Sequence, residues 1–490
     1  MGFCINVIII FTTPGSGGER TMVKIAVIGG GVAGISITRH LVSHPGAADH
    51  PEIDIYDAEE QMGRGKPYIE DSGHLLLNIP SEEMTLTGDP DGFVNWLKAK
   101  SLPIYDYNPR KDFGAYSQDT LRRLTNSHKG IRQIHEKVLD MIYDAEEASY
   151  TIHTETSVKR YDLVFLAMGQ MDYMDPYGLK GTENYIFNPY PVKERLEEAE
   201  GKIGIIGTGL SAIDCVRHLI LERGMDQVHL FSRSGDMPSV RGDSHHFEIK
   251  YFTEEAVESY IEDDLIPLEK IIALFKKEMA AQNIEESLFY RHPESTIEDL
   301  KHDIENSAAV GKLQYLIIAL NPLFSRVFTY LSMSDKKIFM EEIHPYIDKN
   351  HSPMPIRVAR QLVEWAEAGR IAIVDGIKDV HHEESFTVES DGGVYNMDWM
   401  INATGPEKDI LKDGSPLILN MVDRMLIGPG SLGGILVDRA HRVISPRYGT
   451  LRGMYAIGHL TFDSDYLSNT VTILFENIRL MVDGAMEEHS

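Results

Sequence analysis

Cysteine is scarce in this sequence, which contains only Cys4 and Cys215. These residues form no CxxC pair, and no His and Cys residues have the spacing of metal ligands, so we expect no disulfide framework, no redox dithiol and no metal site. Basic residues are also few, since 47 Lys and Arg stand against 75 Asp and Glu for a formal charge of -28. Such a surface repels polyanions, which argues against a nucleic-acid partner.

A membrane-spanning run is missing at the N-terminus. The apolar run there spans about nine residues, whereas a spanning helix needs about 20. It also has no basic residue before it and no small-residue cleavage site. We therefore predict a cytoplasmic protein with no membrane partner, and the oligomeric state stays open. We interpret Gly-Gly-Glu at 17–19 as a translated ribosome-binding site, which makes Met22 the true start of a bacterial protein and residues 1–21 a non-native or disordered extension.

Glycine, in contrast, follows an apolar strand in the same pattern twice. The first instance is "KIAVIGGGVAGIS", where Gly29, Gly31 and Gly34 have GxGxxG spacing. Glycine is needed where the chain turns tightly, where the backbone approaches a pyrophosphate, and where a helix packs closely on a strand. Asp57 follows 23 residues after Gly34, where a carboxylate accepts hydrogen bonds from a ribose diol. The predicted elements are a strand at 23–28, a helix at 35–42 and a strand at 53–57.

The second instance is "KIGIIGTGLSAIDCV". Gly207, Gly209 and Ala212 form a GxGxxA variant here, and Ser211 opens the predicted helix. The strand that follows ends without a carboxylate, and Arg233 stands in its neighbourhood instead. A guanidinium at that position suits a ribose 2′-phosphate, which favours NADP over NAD. The alternative is that Arg233 is an ordinary surface residue at the end of a strand.

A long segment at about 240–365 separates the two halves of the second unit. Leu268, Ile271, Phe275 and Met279 recur in it at helical spacing, so we predict that it is mainly helical. Its acidic runs, such as "EEAVESYIEDD", are typical of a solvated helix face. An acidic surface that binds a partner is the alternative.

Three short segments add to the pattern of the two glycine turns. They are "AMG" at 167–169, "ATG" at 403–405 and "GMYAIGHL" at 453–460. Together with the glycine turns they resemble the two-dinucleotide flavoprotein oxidoreductases, in which the first turn holds FAD and the second holds NAD(P)H. The resemblance implies an α/β fold with two Rossmann-like dinucleotide-binding domains and a mainly helical insertion. Two departures are Met168, which replaces a Thr, and His459, where many relatives have an aspartate.

The resemblance also implies domain limits and a narrower family. An FAD-binding domain would comprise residues 22–200 and 396–490, and an NAD(P)H-binding domain would comprise 201–395 with the insertion inside it. Four segments resemble a bacterial FAD-dependent monooxygenase family that includes aspartate N-monooxygenase and one type of FAD-dependent urate hydroxylase. These segments are "GRGKPY" at 63–68, "HLLLNIPSEEM" at 74–84, "GTGLSAIDCV" at 207–216 and "NHSPMP" at 350–355.

The resemblance assigns expected roles to individual residues. FAD would lie against Gly29, Gly31, Gly34, Asp57, Arg64, Asn78, Gly169 and Gly458. NADP would lie against Gly207, Gly209, Ser211, Ala212, Arg233 and Gly405. The candidates for catalysis are Lys66, Asn78 and His351, and the candidate for contact with the substrate is Arg241. The structural alternatives are a local backbone cap for Arg64, a turn residue for Asn78, and plain loop residues for Arg241 and His351.

The implied function is that of an NADPH-consuming, FAD-dependent monooxygenase. NADPH would reduce the flavin, O2 would form a C4a-peroxyflavin, and one oxygen atom would pass to the amine of an amino acid or to a purine-like ring. One alternative is an FAD-dependent NAD(P)H reductase or dehydrogenase with a non-oxygen acceptor, although the missing CxxC argues against a disulfide reductase. Another is a non-catalytic FAD-binding scaffold or redox sensor, which two complete turns disfavour.

Overall fold

The structure is a computed structural model that describes residues 23–45, 51–60, 62–86, 89–290, 296–412, 414–464, 466 and 471–489. The extension predicted at 1–21 lies outside these residues. The described chain forms two units, each built on a sheet, and a helical segment inserted into the second unit.

The first unit begins with a buried strand, a glycine turn and a helix. Its elements are β1 (Lys24–Ile28), α1 (Val32–Ser43), β2 (Glu52–Tyr56), α2 (Gly92–Ala99), α3 (Arg110–Ser127), β3 (Ile131–Ile134), β4 (Asp140–Asp144), β5 (Ser149–His153), β6 (Val158–Tyr161) and β7 (Leu163–Leu166). β3, β2, β1 and β7 are neighbours in one sheet and run parallel. β7 is buried throughout, and so is β1 after its first residue, because both faces of a parallel sheet are covered.

The second unit repeats this beginning. Its first elements are β8 (Tyr185–Ile186), α4 (Val192–Arg195), β9 (Ile203–Ile206), α5 (Leu210–Leu221) and β10 (Val228–Phe231). β9 is fully buried and pairs in parallel with β10. The predicted second strand, turn and helix are therefore present.

The segment predicted to be helical follows β10. Its helices are α6 (Glu254–Glu258), α7 (Leu268–Ala281), α8 (Glu286–Phe289), α9 (Thr296–Glu305), α10 (Ser307–Tyr330), α11 (Met333–Ile338), α12 (His344–His351) and α13 (Ile356–Glu367), and a π-helical turn at Phe339–Ile343 joins α11 to α12. This confirms the mainly helical insertion. α10 is long and apolar enough to cross a membrane by length and composition alone. Leu316, Ile317 and Leu320 of α10 are, however, buried in the core of the insertion, as in a core helix.

The remaining elements complete both sheets. They are β11 (Ile371–Val374), β12 (Ile377–His382), β13 (Phe386–Ser390), β14 (Gly393–Met397), β15 (Trp399–Asn402), α14 (Pro416–Asp423), β16 (Arg442–Ser445), β17 (Gly449–Ala456) and α15 (Val471–Glu488). The first sheet has the order β16-β17-β7-β1-β2-β3, and the second has the order β11-β10-β9-β15-β8. β4–β6 and β12–β14 form a small antiparallel sheet in each unit.

The two units share one plan, which confirms the predicted fold class. In each unit a small antiparallel sheet leads into a strand that returns beside the first strand, so β7 lies next to β1 and β15 next to β9. The sheets correct the predicted domain limits at 200/201 and 395/396. β8 and β15 lie outside 201–395 in sequence, yet they pair within the second sheet.

A largely buried ion pair joins the two units. Arg110 of α3 donates from Nη1 to Asp214 Oδ2 of α5 at 2.6 Å, and the Tyr190 hydroxyl donates to the same oxygen at 2.8 Å. Burial opposes the charge on Arg110, but the Asp214 carboxylate outweighs it and raises the pKa of Arg110. The Arg110 Nε group also donates to the Leu76 carbonyl at 2.9 Å, so one guanidinium bonds to both units.

Replacing Asp214 with leucine should lower the free energy of unfolding by about 3–5 kcal/mol, because it leaves the Arg110 cation without its buried partner. Urea denaturation measures this loss. The double variant Asp214→Leu/Arg110→Met should lose less than the two single losses added together. The control is Arg326→Gln, which removes a more exposed cation paired with Glu254 and Glu258 and should cost under about 1 kcal/mol. A loss as small as the control's for Asp214→Leu would contradict a structural role for the pair.

Candidate functional site

The first glycine turn is shaped by a close approach between strands. Gly29 has a φ of +109°, and a side chain there would collide with the carbonyl of Ala167 just beyond β7. Gly34 lies in α1, where the Gly29 carbonyl occupies the place of a side chain. α1 is capped by Gly31 without a side-chain hydrogen bond, which leaves its first N–H groups for a ligand.

A cavity of about 310 Å³ opens in front of this turn, within the size range of small-molecule sites. The segments after β1, β2, β7 and β17 line it. The predicted residues that line it are Gly29, Gly31, Asp57, Arg64, Lys66, Gly169 and Gly458. The structure thus brings together residues from four separate parts of the chain.

Asp57 ties the turn to the end of β2. Its Oδ2 accepts the Gly30 N–H at 2.8 Å, and its Oδ1 accepts the Glu59 N–H at 3.0 Å. The carboxylate is therefore held at the cavity wall by backbone donors. Its remaining lone pairs are available to hydroxyl donors of a ligand.

Arg64 and Lys66 place positive charge at the same cavity. Arg64 is 9% exposed, donates from Nη1 to the Lys111 carbonyl at 3.2 Å and lies 3.5 Å from the Glu70 carboxylate. Its Nε is buried and has no hydrogen-bond partner among the described residues. Lys66 is exposed, and its Nζ donates to the Gln170 carbonyl at 3.3 Å.

His459, noted in the sequence only as a departure, lines the cavity as well. Its Nε2 lies 3.4 Å from the Gln170 side-chain nitrogen. Burial lowers the pKa of His459 to about 4, and the Lys408 cation adds to the lowering. The imidazole is therefore neutral at physiological pH, so it offers one donor and one acceptor rather than a charge.

The second glycine turn repeats the close approach of the first. Gly207 has a φ of +126°, and a side chain there would collide with the carbonyl of Ala403 just beyond β15. Gly209 precedes α5 and faces open space. Ala212 is fully buried, which fits close packing of α5 on the sheet. The N-terminus of α5, with Ser211 in its first turn, is thus accessible to an anion.

Arg233 and Gly405 lie at the carboxyl ends of strands of the second sheet. Arg233 follows β10, is exposed, and has no ion-pair partner in the part of the chain that the structure describes. Gly405 follows β15, and its carbonyl accepts the Met174 N–H at 3.1 Å. Ligands of open α/β sheets bind at this edge.

The other three predicted residues form a separate group away from the first turn. Arg241 donates from Nη2 to the backbone carbonyl of Asn78 at 2.9 Å. Asn78 therefore lies beside Arg241 and is not among the residues that line the cavity. Burial lowers the pKa of His351 to about 4 against the opposing Asp348 carboxylate, and the Arg241 cation adds to the lowering. His351 is thus neutral at physiological pH.

A row of charged and polar groups connects this group to the cavity. His459 at the cavity is within electrostatic range of Lys408. Lys408 is in turn within range of Asp348, and Asp348 is within range of His351. Burial lowers the pKa of Lys408, which the Asp348 carboxylate opposes, and its ammonium lies 4.2 Å from the centre of the Phe462 ring. Sequence reasoning missed Lys408 and Asp348. Neither belongs to a recognisable motif, and only the proximity of "NHSPMP" to Asp348 could have drawn attention to it.

Comparison with known proteins supports the fold. Residues 26–171 match the profile of a family described as FAD-NAD(P)-binding. No curated protein matches the sequence. Among solved structures, ornithine hydroxylase from Pseudomonas aeruginosa is similar with a TM-score of 0.60 and 14% identity, covering 96% of this chain and 100% of that one.

Two further structures are similar over the same length. L-lysine 6-monooxygenase from Pseudomonas syringae has a TM-score of 0.60 and 13% identity, with 95% of this chain and 99% of that one covered. A cadaverine monooxygenase from Erwinia amylovora has a TM-score of 0.61 and 12% identity, with 95% of each chain covered. The protein therefore has the two-dinucleotide-binding flavoprotein fold, with an FAD-NAD(P)-binding segment at 26–171.

Proposed function

We propose that this protein is an FAD-dependent monooxygenase that consumes NADPH and O2 and hydroxylates a small polar substrate. The observation that carries the proposal is the duplicate turn, in which Gly29 packs on Ala167 and Gly207 packs on Ala403. Two turns of this construction serve two dinucleotides, and an enzyme that reduces its own flavin needs both. We also propose a bacterial, cytoplasmic protein.

FAD fits the cavity at the first turn. The open N-terminus of α1 suits a pyrophosphate, the Asp57 carboxylate suits a ribose diol, and the buried Nε of Arg64 is a donor without a partner among the described residues. Gly169 and Gly458 would complete its walls. When bound, FAD supplies hydride acceptance and oxygen activation.

NADPH fits the second turn. The start of α5 at Gly209 and Ser211 is open. The exposed Arg233 guanidinium, which has no ion-pair partner among the described residues, follows β10 where a 2′-phosphate would lie. Gly405 borders the same edge. This arrangement supports NADPH over NADH as the reductant.

The substrate is proposed to be an amine, with a purine-like ring as the other option. The three similar structures are named for ornithine, lysine and cadaverine, all of which carry primary amines. The family resemblance to aspartate N-monooxygenase supports the same class. The chain's neutral His459 and His351 would orient polar groups or accept a proton, while the apolar cavity wall would exclude water.

Gentle purification should yield a yellow protein, and NADPH should be oxidised with uptake of O2 and formation of a hydroxylated product. The test is a screen of amino acids, diamines and purines, with hydrogen peroxide and product measured together. NADPH oxidation with an artificial acceptor but without hydroxylated product for any compound would favour a reductase. A protein without flavin that stays inactive when FAD is added would contradict the proposal.

Replacing Asp57 with alanine should raise the dissociation constant of FAD about 10-fold or more, because the variant loses a charged acceptor at the cavity. Flavin content and equilibrium dialysis measure the change. Asp162→Ala is the matched control, since Asp162 also accepts a backbone N–H, that of Lys24 in β1 at 2.8 Å, but does not line the cavity. Equal flavin content in both variants would remove Asp57 from the FAD site.

Replacing Arg233 with glutamine should lower kcat/KM for NADPH by about 10- to 100-fold, because it removes charge-assisted hydrogen bonds to the 2′-phosphate. NADH lacks that phosphate and is the internal control, so its kcat/KM should stay within about two-fold. Steady-state kinetics with both nucleotides give the ratio. An equal fall with NADH would show that Arg233 has another role.

A further inference from the structure

Arg241 is held on a rigid part of the fold. Its backbone N–H donates to the Met354 carbonyl at 2.8 Å, and the neighbouring Val240 N–H donates to the Asp303 carboxylate at 3.0 Å. The next residue, Gly242, donates to the Gln314 side chain of α10 at 3.0 Å. The guanidinium therefore extends from a backbone that is hydrogen-bonded at three consecutive residues.

The guanidinium is buried and incompletely paired. Arg241 is 6% exposed, and among the described residues its side chain donates one hydrogen bond, from Nη2 to the Asn78 carbonyl. Nε and Nη1 are both buried without a hydrogen-bond partner among the described residues. Arg64 and Arg217 each have one such nitrogen, so Arg241 is the described arginine with two.

The surroundings of Arg241 do not neutralise it by direct contact. The Tyr315 ring centre lies 5.9 Å away, and the Tyr315 hydroxyl donates to Glu83 Oε1 at 3.3 Å. Glu83 is within electrostatic range of Arg241 but forms no ion pair with it among the described residues. Burial raises the pKa of Glu83, which Arg241 opposes. A guanidinium stays protonated at all physiological pH values, so a buried one without an anion is costly.

We propose that Arg241 binds a carboxylate of the substrate, so that the substrate is a carboxylic acid that carries the amine to be hydroxylated. A carboxylate is planar and accepts two parallel N–H bonds from a guanidinium, either from Nε and Nη2 or from Nη1 and Nη2. Nη2 carries a second N–H besides the one donated to Asn78, and Nε and Nη1 have no partner among the described residues, so one such fork is available at Arg241. This inference rests on the proposed monooxygenase function. It selects an amino acid over both a diamine and a neutral purine ring.

The position of Arg241 agrees with this role. Its neighbours come from two parts of the fold, with Asn78 and Glu83 from the first unit and Tyr315 and His351 from the insertion. The row of Lys408, Asp348 and His351 connects it to the cavity proposed for FAD. A substrate anchored at Arg241 by its carboxylate would therefore lie between the two units.

The test compares acids with counterparts that lack a carboxylate. L-Ornithine, L-lysine and the other common amino acids with one carboxylate are each paired with the α-amide, L-aspartate and L-glutamate with their diamides, and L-lysine and L-ornithine also with cadaverine and putrescine. Ligand-induced change in the melting temperature of the FAD-loaded protein measures binding, and NADPH-dependent formation of hydroxylated product measures turnover. We expect at least one acid to bind and react, and its amide or diamine to do neither.

The variant Arg241→Gln should raise KM for that acid about 100-fold, while the flavin spectrum and KM for NADPH stay as in the wild type. Arg241→Lys keeps the positive charge but loses the two parallel N–H donors, so it should recover part of the affinity for the acid. This variant also tests the proposal if Arg241→Gln does not fold. Arg326→Gln is the control for loss of one cation from the insertion and should leave KM unchanged.

Several results would overturn the inference. The first is that the wild type binds acids and their counterparts without a carboxylate equally, and the second is that no acid binds. The third is a rise in KM for NADPH instead of the acid in Arg241→Gln, which would place Arg241 at the nucleotide. Failure of the proposed function is distinguishable, because it would abolish product formation while the melting temperature still reported preference for acids and its loss in Arg241→Gln.

Discussion

The contact between a glycine and a carbonyl one strand away is the constraint on which the rest of this structure depends. In each unit the strand that returns from the small antiparallel sheet lies directly beside the first strand, so the carbonyl of the residue just beyond it points at the turn. Only a residue without Cβ lets the chain turn there, at Gly29 beside Ala167 and at Gly207 beside Ala403. Because the turn passes so close, the segment after the returning strand becomes a wall of the ligand site.

The second constraint is the set of polar contacts between the two units, most of which involve α5. This helix carries the second turn at its start and is buried in its middle, where Asp214 pairs with Arg110 and Arg217 donates to the His74 carbonyl at 2.5 Å. Asp71 of the first unit adds acceptors for the Val192 and Lys193 N–H groups at 2.9 and 3.0 Å. The orientation of one glycine turn relative to the other is therefore set by polar contacts at α4 and α5.

The parts of the fold that were predicted are those with local signals. Buried parallel strands appear as continuous apolar runs, and each glycine turn is contained within a few residues, so the two units and the helical insertion could be found from the sequence. Strand partners far apart in the chain could not, which is why β8 and β15 were assigned to the wrong side of a domain limit. The candidate site likewise combines residues with local sequence signals and residues without them. Asn78 contacts Arg241 across 163 residues of sequence, and Lys408 belongs to no motif, so neither contact could be predicted. Asp57 was found because its spacing from the glycines is itself local.

The charge distribution explains how an acidic protein can favour small anions. The formal charge of -28 repels polyanions over the surface, but screening limits this field to roughly 8 Å at physiological ionic strength. Within that distance the local potential depends on nearby cations. Arg64, Arg233 and Arg241 each lie at a position where a ligand anion is proposed. Two of them, Arg64 and Arg241, are buried with nitrogens left unpaired by the described residues. A buried guanidinium that the fold does not satisfy is selective, because a small anion that reaches it replaces a desolvation cost with a paired hydrogen bond.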